Sequence, residues 1–244
     1  MKIKYDLHIH SALSPCAEEE MTPNNIVNMA VLNGLDAIAV TDHNSTGNVR
    51  AVEECARSKS VVVVPGMEVE STEEVHICCL FPNVESAESM SDFVSKNLKS
   101  IKNQPNVLGR QQLLDSMDRC VGEEEQMLLF ASSLTIEEIF SKVEELGGCG
   151  FFAHVDRSSY SVLSVLGAFP EKEPGNVVEV TGSPEGRGFA SQRDEIKGRR
   201  LLFSSDSHRL ADMNRGEDEI EIDIRGDTLT AKDIVDWIKG NRMR

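Results

Sequence analysis

Seven short aliphatic runs, each separated from the next by a helix-like segment or a turn, restrict this chain to an α/β fold. The runs are Ile3–Ile9, Leu35–Thr41, Val61–Val64, Val75–Phe81, Cys149–His154, Val177–Thr181 and Leu201–Ser205. Most are near-continuous in β-branched and aliphatic residues, the composition of strands covered on both faces. Helix ends lie between them. Thr22-Pro23 supplies an N-cap and a first-turn proline, Ile26, Met29, Ala30 and Leu32 carry the turns, and Gly34 stops the helix. Thr135 and Glu138 have the spacing of a capping box ahead of Ile139, Phe140, Val143 and Leu146. Thr230 opens a last helix through Ile234, Val235 and Ile238, and Glu219–Ile224 alternates acid with isoleucine as a half-exposed edge strand does. Between 85 and 133 the alternation stops. That polar stretch is expected to be a mostly helical insertion or subdomain within a single domain spanning 1–244.

The chain has only six histidines, and all but His76 lie at or just past the C-terminal end of a predicted strand. His8 and His10 are two apart and so share a strand face. His43 and His154 close the second and fifth runs, and His208 follows the seventh, two residues after Asp206. His76 begins its run, but only VESTEEV separates it from Glu68. A hairpin there would return His76 to the side of Glu68. All six imidazoles, with Glu68 and Asp206, then converge on one end of a sheet or barrel. The C-terminal ends of strands are where α/β barrels carry their chemistry. Neutral imidazole with carboxylate is the ligand set of Zn, Mn and Fe. Asp42 precedes His43 on its strand and so points to the opposite face, in a supporting role.

The ordered motifs DLHIHS, VTDHN, GMEVES, a lone histidine, AHVDR and SSDSH resemble the PHP (polymerase and histidinol phosphatase) family over about residues 3–210. The resemblance implies a distorted (β/α)7 TIM-like barrel, two or three divalent metal ions (Zn, Mn or Fe) and phosphoester hydrolysis. It implies one metal site formed by His8, His10, Glu68 and Asp206, with Glu68 bridging to a second completed by His76 and His154. His43 and His208 would hold a third. Where many PHP proteins place a further ligand for that site, HSALSPC offers Cys16, with Glu19 just beyond. Cys16 is either a thiolate ligand, favouring Zn or Fe, or a cysteine packed in a loop. Arg157 and Arg209, beside His154 and His208, are the substrate-binding candidates, because a guanidinium takes phosphate bidentately. Arg187 and Arg193 share that face without motif support.

The chemistry expected of such a centre is a hydroxide nucleophile held between two cations, with Asp206 or His208 relaying a proton to the leaving alcohol. The expected substrate is a small phosphate mono- or diester such as a nucleotide, histidinol phosphate or a phosphosugar. Three other readings stand beside it: carbon–nitrogen hydrolysis in the manner of amidohydrolases, exonuclease or proofreading work, and a non-catalytic metal-holding sensor or interaction module. The formal charge of −16 is expected to exclude extended nucleic acid, since phosphate neutralisation takes clustered Lys and Arg. Three divalent ions would still leave the pocket itself attractive to anions. No run is long enough to span a bilayer, and MKIKYDLHIH lacks the apolar segment of a signal peptide. Six cysteines without a CxxC pair fit a reduced, cytoplasmic chain with no membrane partner. Oligomeric state is left open.

Overall fold

The strands that carry the histidines belong to one curled sheet. A computed structural model describes residues 1–170, 176–224 and 226–240. Its first half comprises β1 (Lys2–Ile9), α1 (Pro23–Leu32), β2 (Ala37–Val40), α2 (Val49–Ala56), β3 (Val62–Glu70), β4 (His76–Leu80), α3 (Val84–Ser95), α4 (Pro105–Leu108), β5 (Gln112–Leu114) and β6 (Cys120–Glu123). The second half comprises α5 (Ile136–Glu145), β7 (Cys149–Phe152), α6 (Val162–Leu166), β8 (Val177–Thr181), α7 (Pro184–Gln192), β9 (Arg200–Ser204), β10 (Glu219–Glu221) and α8 (Ala231–Ile238). Eight strands pair in the order β10-β1-β2-β3-β4-β7-β8-β9, while β5 and β6 form a separate hairpin.

The pairs β1–β2, β2–β3, β7–β8 and β8–β9 are parallel. β4 breaks the regularity expected of a (β/α)7 barrel by running antiparallel to both β3 and β7. The cause is local. β3 continues past Val64 through Pro65 and Gly66 to Glu70, and the turn after it folds β4 straight back, setting Glu70 opposite His76. The sheet then curls until the end of β9 returns to β1. There Ile9 bridges Ser207, His10 N donates to Ser207 O at 2.9 Å, and Ser205 donates from N and Oγ to Asp6 at 3.0 and 2.6 Å. β10 closes the outer side of β1, with Ile3 opposite Ile220.

The helix ends follow their predicted chemistry. Thr22 accepts from Asn25 N with Pro23 at the first position, and Gly34 takes a φ of +71° that ends α1. Thr135 and Thr230 each form a full capping box. The 85–133 stretch departs from expectation. α3 and the four-residue α4 account for its helix, and the rest is irregular chain around the β5–β6 hairpin. Asp115 decides this: its Oδ1 accepts from the backbone N–H of Met117 and Arg119, a local turn that no helix tolerates. The stretch is tied to the loops that carry the site, through Gln112 N to Ala12 O, Leu114 N to Asn48 Oδ1 and Asn44 Nδ2 to Leu128 O. Its Val94, Leu98 and Leu128 join Leu13, Val69 and Val75 in the same apolar core. All six cysteines are free, and no helix among the described residues is long and apolar enough to cross a membrane.

Candidate metal centre

One buried carboxylate organises the histidines. Glu68, on β3 and 1% exposed, places Oε1 2.9 Å from His76 Nδ1, 3.1 Å from His154 Nε2 and 3.4 Å from His8 Nε2. Its Oε2 lies 3.0 Å from His43 Nδ1 and 3.5 Å from His10 Nε2. Asp206 faces it from beyond β9, with Oδ1 3.0 Å from His10 Nε2 and 3.2 Å from His8 Nε2. The His208 ring stacks on His10 at 4.3 Å, and its Nδ1–H donates to the Asp206 carbonyl at 2.9 Å. The β3–β4 hairpin is what brings His76 into the group. Two of the cluster's residues, His154 and Asp206, have left-handed φ values of +29° and +49°. Non-glycine residues keep such a backbone only where their surroundings over-determine it.

This arrangement fits divalent metal. Glu68 Oε2 and Asp206 Oδ1 are buried without a geometrically sound hydrogen bond. His8 Nε2 and His10 Nε2 face each other at 3.1 Å, where one proton can serve only one of them. Unpaired acceptors converging in a dry site are costly, and a cation among them removes that cost. Among the described residues four sets of ligand atoms lie close enough to share an ion: His8, His10 and Glu68; His43, Glu68 and His76; His10, His43 and His208; and, behind the cluster, His8, Cys78 and Glu179. Burial pushes the carboxyls of Glu68 and Asp206 up. The surrounding imidazoles outweigh it, His76 and His8 at Glu68 and His8 and His10 at Asp206, and hold both well below the usual carboxylate range. Burial, with His208 and His43 nearby, keeps His10 neutral, the form that ligates.

Cys16 joins the outer corner of the cluster. Its thiol hydrogen-bonds His208 and His43, and these contacts overcome desolvation and bring it down to about 7. Glu19 does not approach. Its carboxylate is two-thirds exposed, with Arg110 as its neighbour at 3.9 Å. Arg157 reaches the cluster, with Nη2 2.6 Å from Asp206 Oδ2. Arg209 turns outward to Glu18 at 3.1 Å. Arg187 pairs with Asp218 at 2.6 Å, and Arg193 lies over the Phe189 ring at 5.0 Å. Asp42 points away from the metal ligands and binds Ser11 and Ser14, and Ser14 Oγ in turn meets His10 Nδ1 at 3.0 Å.

Two participants carried no motif. Glu179, 1% exposed in the middle of β8, accepts from His8 Nδ1–H at 2.9 Å and from His154 N at 3.0 Å. That bond fixes the His8 proton on Nδ1 and leaves Nε2 free to face the cluster. Its signal in the sequence was a lone acid inside the aliphatic run VVEVT. Tyr160, half exposed at the rim with a φ of +56°, stacks on His76 at 4.8 Å and accepts from His76 N through its carbonyl.

A curled α/β sheet with a histidine–carboxylate cluster at one end is the architecture of a metal-dependent hydrolase. Within that class, a family model for the PHP domain matches residues 6–147, and the chain belongs to the PHP-domain family. The 5'-3' exoribonuclease Rnm of Salmonella typhimurium is 34% identical over 98 residues, 38% of this chain and 32% of that protein. The lesion-specific endonuclease PfuEndoQ of Pyrococcus furiosus superposes with a TM-score of 0.67 at 20% identity, over 99% of this chain and 57% of its own. Endonuclease Q in complex with a 27-mer duplex bearing an abasic lesion at the active site gives 0.68 at 19%, over 99% and 57%. At such identities the structural likeness speaks for the fold. The chain spans about a third of the exoribonuclease and just over half of the endonuclease. These relatives overturn the expectation of a small phosphorylated substrate and no extended nucleic acid. All three are named as nucleases, and one of them holds a duplex at its active site. A charge summed over the whole chain does not exclude such a substrate, because binding is decided by the charges on one face.

Proposed function

We propose that this chain is a divalent-metal phosphodiesterase acting on nucleic acid. The observation that carries the reading is Glu68, buried and shared among His8, His43, His76 and His154. His8, His10, Glu68 and Asp206 would hold one cation, Glu68, His76 and His154 a second, and His43, His208 and Cys16 a third. The thiolate favours Zn or Fe for that last set. When bound, such cations activate water and neutralise charge on the phosphoryl group. The remaining work falls to the protein. Arg157 is anchored on Asp206 through one Nη, so its other N–H donors are available to hold phosphoryl oxygens in line. Asp206, kept ionised by its histidines, orients that guanidinium through Oδ2. In a form with two cations, His208 Nε2 is left to pass a proton to the departing alcohol, because its Nδ1 is held by the Asp206 carbonyl. Carbon–nitrogen hydrolysis has less support, since among the described residues the ion pairs of Glu68 and Asp206 run to histidines and Arg157 and to no lysine.

The test joins elemental analysis of the purified protein to cleavage assays on labelled single-stranded and duplex RNA and DNA, at low salt, beside a panel of phosphomonoesters. The expected result is two or three metal equivalents and scission of an oligonucleotide, with His10→Ala losing both metal and activity. A metal-loaded protein that releases nothing from any of these substrates sinks the reading.

A further inference from the structure

Beside the metal cluster, and outside its ligands, lies a pocket of about 500 Å³. Arg157 and Ser205 form the shared wall, Arg157 by its bond to Asp206 and Ser205 as the residue preceding it. The other walls come from the turn after β8, the first turn of α7, the end of β9 and the 211–218 loop. Three guanidinium groups line it, those of Arg157, Arg187 and Arg215. Arg187 is preorganised, with Nη2 on Asp218 at 2.6 Å, Nε on the Gly182 carbonyl at 3.3 Å and its plane over the Phe203 ring at 4.6 Å. Those bonds leave Nη1 with open donors.

The hydroxyls of the pocket sort into used and unused. Thr181 Oγ1 donates to Asp156 and Ser205 Oγ donates to Asp6. Ser204, 1% exposed, lines the pocket with an Oγ that has no hydrogen-bond partner. A buried hydroxyl without a partner is costly unless something supplies one. The acidic groups of the wall are Asp212, Glu217 and Asp218. Asp218 is engaged by Arg187, and Asp212 and Glu217 stand at the exposed rim. The uncommitted polar groups of the inner wall are therefore donors, and three of the groups lining the pocket carry positive charge. An acceptor-rich anion matches that inventory.

We propose that this pocket is a second phosphate subsite. It would take the phosphate next to the scissile one in a phosphodiester chain while the scissile group lies at the metal cluster. The proposal rests on the phosphodiesterase reading and narrows it: the preferred substrate carries at least two phosphates in sequence.

The probe is thymidine trinucleotide TpTpT, compared with its two analogues in which one linkage is a neutral methylphosphonate. Binding is measured by isothermal titration to chelator-treated protein, and kcat/KM is measured on the metal-loaded enzyme. In the wild type, the second negative linkage is expected to tighten binding about tenfold, the yield of one charge-assisted hydrogen bond. In Arg215→Ala, an exposed position that leaves the fold intact, the gain should fall below about threefold. Arg187→Gln should do the same, with a melting curve to verify folding. Equal binding of all three ligands by the wild type overturns the subsite, as does a tenfold preference that survives both substitutions. The two readings fail separately. Charge-dependent binding without cleavage would retire the phosphodiesterase and keep the subsite, whereas cleavage indifferent to the second charge would do the reverse.

Discussion

At the scale of single residues, the histidine–carboxylate cluster was legible because its chemistry is rare and its positions repeat. Six histidines at the ends of five strands form a pattern that packing alone does not produce. Glu179 was missed for the converse reason: one acid in a buried strand has no partner in sequence, and its role exists only once β8 lies across from β1. The bond from His8 to Glu179 raises the basicity of the ligand and fixes its orientation. Glu179→Gln should therefore weaken metal binding by about tenfold or more. Competition against a chromogenic chelator measures this, and an unchanged affinity would show that Glu179 only fills space. Cys16 makes a second residue-scale prediction. A thiol brought down to about 7 is substantially thiolate at neutral pH, so its alkylation in chelator-treated protein should accelerate as the pH rises through 7. Metal should suppress that reaction while leaving the exposed Cys120, which lies outside the cluster, unaffected. Mass spectrometry of iodoacetamide adducts distinguishes the two sites. Labelling of Cys16 that is indifferent to metal would remove it from the ligand set.

At the scale of elements, capping chemistry and aliphatic runs fixed where most strands and helices begin, while extent and pairing were less legible. β3 runs six residues past the predicted end at Val64 because Pro65 and Gly66, ordinarily breakers, sit where two neighbouring strands hold them. The 85–133 stretch was expected to be mostly helical as a polar segment where the strand–helix alternation stops. Its hairpin depends on the Asp115 turn, which period-based reasoning does not see. α7 supplies a prediction at this scale, since its first turn forms one wall of the proposed phosphate pocket. A Cβ on Gly186 would collide with the Thr181 carbonyl and meet Asp156 Oδ2 at 3.0 Å. Gly186→Ala should cost about 1–3 kcal/mol, as overpacking against backbone does. The loss would appear as a drop of several degrees in Tm, roughly 2–4 °C per kcal/mol at this size. A variant that melts with the wild type would mean that α7 can lift from β8 without strain.

At the scale of the whole molecule, net charge says less about a ligand than local arrangement does. A total of −16 describes a surface on which Glu and Asp predominate, yet the chain still gathers Arg157, Arg187 and Arg215 around one cavity beside the cluster. The cluster also links the stability of the molecule to pH, with opposite signs in its two forms. Against the cost of burial, His8, His43, His76 and His208 are raised above the ordinary 6.5 by the carboxylates and thiols around them. In metal-free protein their contribution is complete below 6.5 and is lost as the pH rises through the raised values. His10, which is lowered, works the other way, but it is one ring against four. Glu68 and Asp206 are depressed from 4.5 and 3.8, so their contribution persists above those values and is lost only in acid. Metal-free protein should therefore melt at progressively lower temperature from pH 6 to pH 8.5. Cations compete with protons for the same imidazole nitrogens, so the stabilisation they confer should grow over that interval. Melting curves with and without chelator at pH 6, 7 and 8.5 test the pair of trends together. A gap that stays constant or narrows with rising pH would mean that the imidazoles do not exchange protons for metal, and the centre would have to be reassigned.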